Sequence, residues 1–382
     1  MHTNFWKFCL LGAFLLTIAG CVDSYQPPEI TAPNRYLVVD GFLNGSGPTV
    51  IRLSRTRNLA DARKASFETK ALVQVEGEKT KAMTLAETST GVYTLSSTLG
   101  PGDRYRLRVK TSGGTEYLSD YVAIKQTPPI ERLTWQPLSN AVQIYVDTRD
   151  PSNNTRYYRW EYQDTYEFNS AYEPLLEVAP GNTIRDRSSA TPENIYKCWT
   201  SGASTEIMIG STERLSQDVL SKQPLLLVAT NTPKLRVKYS ILVRQYAQTR
   251  EAYEYWDNLK KNTEQLGSLF DPLPSQLPGN IRCVTNPSEP VLGYLSGHTV
   301  AEMRLFISNA ELPAIVIPNG NESCMLDTVE AKYQSAMIAS GMLPVSTLDG
   351  TPYSKGVDVL MSHKACVDCR EKGTNIRPSF WK

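Results

Sequence analysis

Histidine is scarce in this chain, with only His2, His298 and His363 among 382 residues. A Ser-His-Asp arrangement needs an imidazole held by a third group and a nucleophile on a sharp turn. No Gly-x-Ser-x-Gly occurs. His298, after Gly297 in a segment that reads as a loop, is expected to be an ordinary surface or half-buried side chain. Phosphate cradles are missing as well: neither Gly-x-Gly-x-x-Gly nor a Walker loop is present, so no nucleotide cofactor is expected. An excess of one charge is also lacking. Lys and Arg total 40 against 39 Asp and Glu, which gives no reason to expect nucleic acid as a partner. Mean hydropathy is −0.33, and no long apolar run follows the first twenty residues, so no transmembrane helix is expected there. Repeats are not visible.

What is there begins at the N-terminus. Lys7 precedes an apolar stretch from Phe8 to Ile18, and Ile18-Ala19-Gly20-Cys21 forms a small-residue cleavage site closing on a cysteine. Residues 1–20 read as a signal peptide, too short to span a bilayer. The box resembles that of bacterial lipoproteins, in which the thiol of Cys21 is acylated and becomes the first residue. A chance cysteine beside an ordinary cleavage site is the competing reading. Each buried methylene contributes about 0.8 kcal/mol, so several acyl chains would hold the protein stably at a membrane. Residues 21–34 then carry Pro27, Pro28 and Pro33 with little apolar content, an extended tether.

Regular alternation starts abruptly after the tether. Val73 and Val75 alternate with polar partners, as do Tyr105, Leu107 and Val109, and Ser112-Gly113-Gly114-Thr115 reads as a hairpin into residues 116–119. Short strands between turn signals predict a β-sandwich over 35–126, similar to immunoglobulin- or transthyretin-like sandwiches. Thr127-Pro128-Pro129-Ile130 reads as a hinge into a second β-rich domain over 127–365. Strands are predicted at 130–135, 141–147, 156–168, 235–243 and 300–307. In 156–168, Tyr158, Trp160, Tyr162, Tyr166 and Phe168 share one parity and are expected in the core, leaving Tyr157 outward as a candidate ligand contact. One or two short helices are inserted. Thr249 caps one over 250–261, with Ala252, Tyr255, Trp256 and Leu259 on one face. Asp327-Thr328-Val329-Glu330 resembles a capping box for another ending at Gly341. The fold class is therefore mainly β, with tandem sandwich domains.

Seven cysteines occur; Cys9 leaves with the signal and Cys21 carries lipid. Cys198, Cys283, Cys324, Cys366 and Cys369 remain, and an exported location permits disulfides. Five is odd, so at least one thiol stays unpaired, and 15 arrangements of two pairs are open. Cys366-Val367-Asp368-Cys369 lacks a second pair at zinc-binding spacing and lacks a thioredoxin-like context. It reads as a structural tie over a 366–382 tail, with Cys283 or Cys324 as mates. No metal site is expected; Asp147, Asp150, Asn153 and Asn154 read as a plain turn without the EF-hand pattern. Glu161, Asp164 and Glu167 are the remote candidates for carboxylate-based hydrolysis, but a straight strand splits them across two faces.

Several segments together carry a family likeness: Tyr36-Leu-Val-Val-Asp-Gly41, Arg52-Leu-Ser-Arg-Thr56, Thr127-Pro-Pro-Ile130, Tyr158-Arg-Trp-Glu-Tyr162, Ser240 to Tyr246 into Glu251 to Trp256, Gly279 to Cys283, and Cys366 to Arg370 with Phe380-Trp381. The chain resembles the domain-of-unknown-function family 4249, outer-membrane lipoproteins of Bacteroidetes. That resemblance implies a lipid-anchored outer-membrane protein, on the cell surface in preference to the periplasm. It also implies an accessory role beside a TonB-dependent transporter. Since the sequence shows no catalytic constellation, that role is expected to be non-catalytic, with an unidentified small ligand. The acidic run common after the lipid cysteine in surface-exported lipoproteins of that phylum is reduced here to Asp23, which leaves both leaflets open. A structural or adhesive envelope role is the alternative.

Overall fold

Strand-forming alternation pairs first along the N-terminal half. The computed structural model describes residues 35–57, 66–188, 193–264, 279–313, 317–318 and 320–382. Leu37–Asn44 lies antiparallel to Thr49–Arg55, which continues to Val92–Leu95 and Ala86–Ser89. A second sheet runs through Glu116–Ser119, Arg104–Lys110, Leu72–Gly77 and Met83–Thr84. Period-two patterning turns Leu37, Val39, Ile51 and Leu53 of one sheet onto Val73, Val75, Leu107 and Val109 of the other, all buried in one core. Each such side chain contributes roughly 1.5–3 kcal/mol by leaving water.

That sandwich is not closed at residue 126. Ile281–Cys283 adds to the edge of the second sheet beside Glu116–Ser119. Gly297–His298 runs parallel to Leu43 and Asn44 at the edge of the first. Ile281, Cys283, Val291 and Leu295 are part of the first core. Residues 281–298, placed by sequence in the second domain, therefore finish the first one. His298 is correspondingly in a strand and fully buried, not a loop side chain.

The second sandwich packs Ile130–Pro137, Ala141–Arg149 and Val219–Ala229 against a sheet ordered Lys197–Ala203, Tyr157–Asn169, Lys238–Gln248, Val300–Ser308. Tyr158 and Trp160 are buried among Val142, Ile144, Ile241 and Val243, with Tyr162 and Tyr166 packed against them, as the ring parity predicts. Phe168 joins a small cluster with Cys198 and Cys369. The predicted helix forms as Arg250–Glu264, with the Ala252 amide donating to Thr249 Oγ1 at 3.2 Å.

A smaller sheet of Asp327–Val329, Val359–His363 and Met342–Thr347 packs with the Leu176–Ala179/Thr183–Asp186 hairpin. Here the capping-box expectation fails. Asp327–Val329 is an edge strand paired with Val359–Met361, and the helix is shortened to Gln334–Ala339. Cross-strand pairing overrides the local cap signal. Gly341, at φ +97°, still ends it.

Two disulfides tie this region down: Cys198–Cys369 and Cys324–Cys366, each with 5.7 Å between Cα atoms. The tail thus bonds to the core through Cys198, which sequence did not single out as a mate, and through Cys324, which it did. Cys283, the other of the two candidate mates, is unpaired and buried in the first core. Beyond the staples, Trp381 is buried and its indole donates to Glu167 Oε2 at 3.0 Å. Tyr36–Lys382 forms a single compact unit.

Candidate functional site

The outward faces of the two sandwiches meet at a cleft of about 220 Å³. Outward positions of the first sheet supply Asp40, Phe42 and Arg52. The Tyr157–Asn169 strand supplies Arg159 and Glu161, which share Tyr157's parity and therefore face away from the Tyr158/Trp160 core. Tyr255 and Trp256 come from the Arg250–Glu264 helix and Tyr294 from the returning segment. Gly41 and Gly293 also line it, both with positive φ, +137° and +121°. In each the backbone approaches a carbonyl (Val50 and Val39 respectively) too closely for a Cβ.

Aromatic rings fix the charged groups. The Arg159 guanidinium lies 4.0 Å from the centre of the Trp256 ring and 5.5 Å from that of Tyr246. Arg159 donates to Glu161, whose other oxygen accepts from the Tyr246 hydroxyl at 2.8 Å. Burial, reinforced by the Glu161 charge, holds the Tyr246 phenol well above its ordinary pKa, so it remains a donor. Tyr255 and Trp256 meet at 82° with ring centres 5.5 Å apart, and Tyr294 lies 5.1 Å from Tyr255. Behind Phe42, His298 stacks at 4.3 Å. Its pKa is pushed down to about 3, by burial first and then by the Arg159 charge, so the imidazole is neutral at ordinary pH. Asp40 and Arg52 form a 3.7 Å pair at the rim, both largely exposed.

The structure disperses the other candidates. Tyr157 does not reach the cleft; its ring packs 5.1 Å from Tyr253 of the helix. Glu161 and Glu167 are six residues apart on one strand, about 20 Å at ~3.3 Å per residue, against the ~5–9.5 Å of glycosidase carboxylate pairs. Asp164 is buried with Lys234 at 2.5 Å and the Tyr239 hydroxyl at 3.2 Å, and Glu167 is engaged by Trp381 and Lys197. These three carboxylates do not converge. Asp150 accepts from the Ser152 and Thr155 amides at 2.9 and 2.8 Å, a turn as expected. Among the described residues no group of three or more His, Cys, Asp or Glu is placed to hold a metal. Cys21 lies outside the described residues.

The family model of a domain of unknown function, DUF4249, matches residues 22–304. The chain belongs to that family. The matched span contains the strands of both sandwiches, save the last four residues of Val300–Ser308, and every cleft residue named above. It ends before the Cys324–Cys366 bridge and the small sheet. No curated protein matches the chain. Parity alone could have found one wall of the cleft: the argument that turned Tyr157 outward turns Arg159 and Glu161 outward too. Tyr255 and Trp256 were legible as one helical face, but not as a cleft wall.

Proposed function

We propose that this chain is a non-catalytic lipoprotein of the outer membrane, attached through Cys21 and displayed at the cell surface. There it serves as an accessory to a TonB-dependent transporter, capturing a nutrient or docking on the transporter. The observation that carries the capture role is the cleft between the sandwiches, where aromatic rings and paired charges from four separate parts of the chain converge. Sites of this kind, concave and at the junction of two modules, are the usual place for small-ligand recognition. The cleavage-site cysteine supports the anchoring half.

Copurification tests the reading. Tagged protein extracted in mild detergent should bring down a TonB-dependent transporter, and Cys21→Ser should release the protein from envelope fractions. Recovery of no transporter, together with unchanged uptake of every nutrient tested in a deletion strain, would refute it.

A further inference from the structure

Resting on the capture reading, we infer that the cleft binds a neutral sugar ring, held between two arginine–carboxylate pairs and the Tyr255 and Trp256 rings. The charges argue first. Arg159 is paired with Glu161 and Arg52 with Asp40, so the two positive and two negative groups of the cleft sum to zero charge. An anion or a cation drawn to one member of a pair is repelled by the other. A neutral ligand is not. A guanidinium offers five N–H donors and a carboxylate about four acceptor positions, so each pair keeps unused donors beside unused acceptors. Neighbouring hydroxyl groups, each both donor and acceptor, match that arrangement.

The walls argue second. A sugar ring presents C–H faces as well as hydroxyls, and Tyr255 and Trp256, both lining the cleft with their rings at 82° to each other, offer apolar ring surface to such a face beside the Arg159 guanidinium that covers one side of Trp256. At about 220 Å³ the cleft is smaller than the ~300–1,000 Å³ of drug-sized sites, which suits a single ring. The site is also held in place before any ligand arrives. Arg159 lies between the Trp256 and Tyr246 rings, and Glu161 is fixed by the Tyr246 hydroxyl at 2.8 Å. Groups already ordered cost less to engage.

The test uses the full chain purified in an amine-oxide detergent, which carries no sugar headgroup. Saturation-transfer NMR and calorimetry are run with glucose, galactose, mannose, xylose, N-acetylglucosamine and their common disaccharides, and with glycine and dialanine. At least one neutral sugar should bind saturably, with affinity reduced tenfold or more in Arg52→Ala and in Asp40→Asn. Both positions are exposed, so these variants should melt as the parent does, whereas Trp256→Ala tests the ring surface itself. No binding by any sugar on the panel overturns the inference, as does binding untouched by all three variants or preferred binding of glycine or dialanine. A transporter that copurifies while no sugar binds sinks the ligand class and leaves the accessory role standing.

Discussion

Removing the Cys198–Cys369 bridge by a Cys198→Ser/Cys369→Ser double substitution should cost this protein about 5 kcal/mol. The two cysteines are 171 residues apart. In the chain-entropy account the closed loop restricts the unfolded ensemble by about 2.1 + 1.5R ln n cal/mol/K, roughly 5 kcal/mol at 25 °C for a loop of this size. The same arithmetic for Cys324–Cys366, with a separation of 42 residues, gives about 4 kcal/mol. Because the dependence is logarithmic, a fourfold difference in loop length separates the two bridges by only about 1 kcal/mol. Urea unfolding of the two double variants and the parent checks both the size and the order of the losses. Mass spectrometry of unreduced peptides should recover the 198–369 and 324–366 links, with Cys283 alkylated only after unfolding. A peptide in which Cys366 is bonded to Cys369, or parent-like stability in both double variants, would refute the reasoning.

His298 should make the fold acid-sensitive. It stays neutral when folded down to about pH 3, whereas the unfolded chain protonates it below about pH 6.5. The unfolded state therefore gains protons as pH falls through that window, and about 2 kcal/mol of stability should be lost between pH 7.5 and 5. His298→Gln should lower the baseline but flatten this slope; equal slopes in urea titrations at the two pH values would count against it. Gly293→Ala should cost about 2–3 kcal/mol, from the left-handed backbone and the collision with the Val39 carbonyl. It should also open residues 279–298 to proteolysis, and a variant as protease-resistant as the parent would contradict the assignment.

Alternation was the legible part of this sequence. Tyr105, Leu107 and Val109, and Tyr158 with Trp160, point inward as period-two patterning requires, because one sheet face is buried and the other is not. Local signals at Asp327 were misleading, since a cap motif there competes with pairing to Val359–Met361 and loses. The Cys283 and His298 environments were illegible for one shared reason. Both lie on the segment that crosses back to the first sandwich, and nothing local in Gly279–His298 records that crossing. The cleft was illegible as a whole because its walls come from outward residues near 40, 160, 255 and 294, each unremarkable on its own strand or helix.

The returning strands also set an order of assembly. A chain delivered N-terminus first presents residues 36–126 long before 281–298 emerge; at ~5–20 residues per second, synthesis of the intervening stretch takes roughly 8–30 s. Until then the Glu116–Ser119 edge and the Leu43–Asn44 edge stand bare, each a template for pairing with another chain. A fragment cut at the Thr127-Pro128-Pro129 hinge would keep those edges bare for good, and should precipitate or pair with its own copies. Dissection of this molecule into pieces must therefore carry the late segment along with the early one.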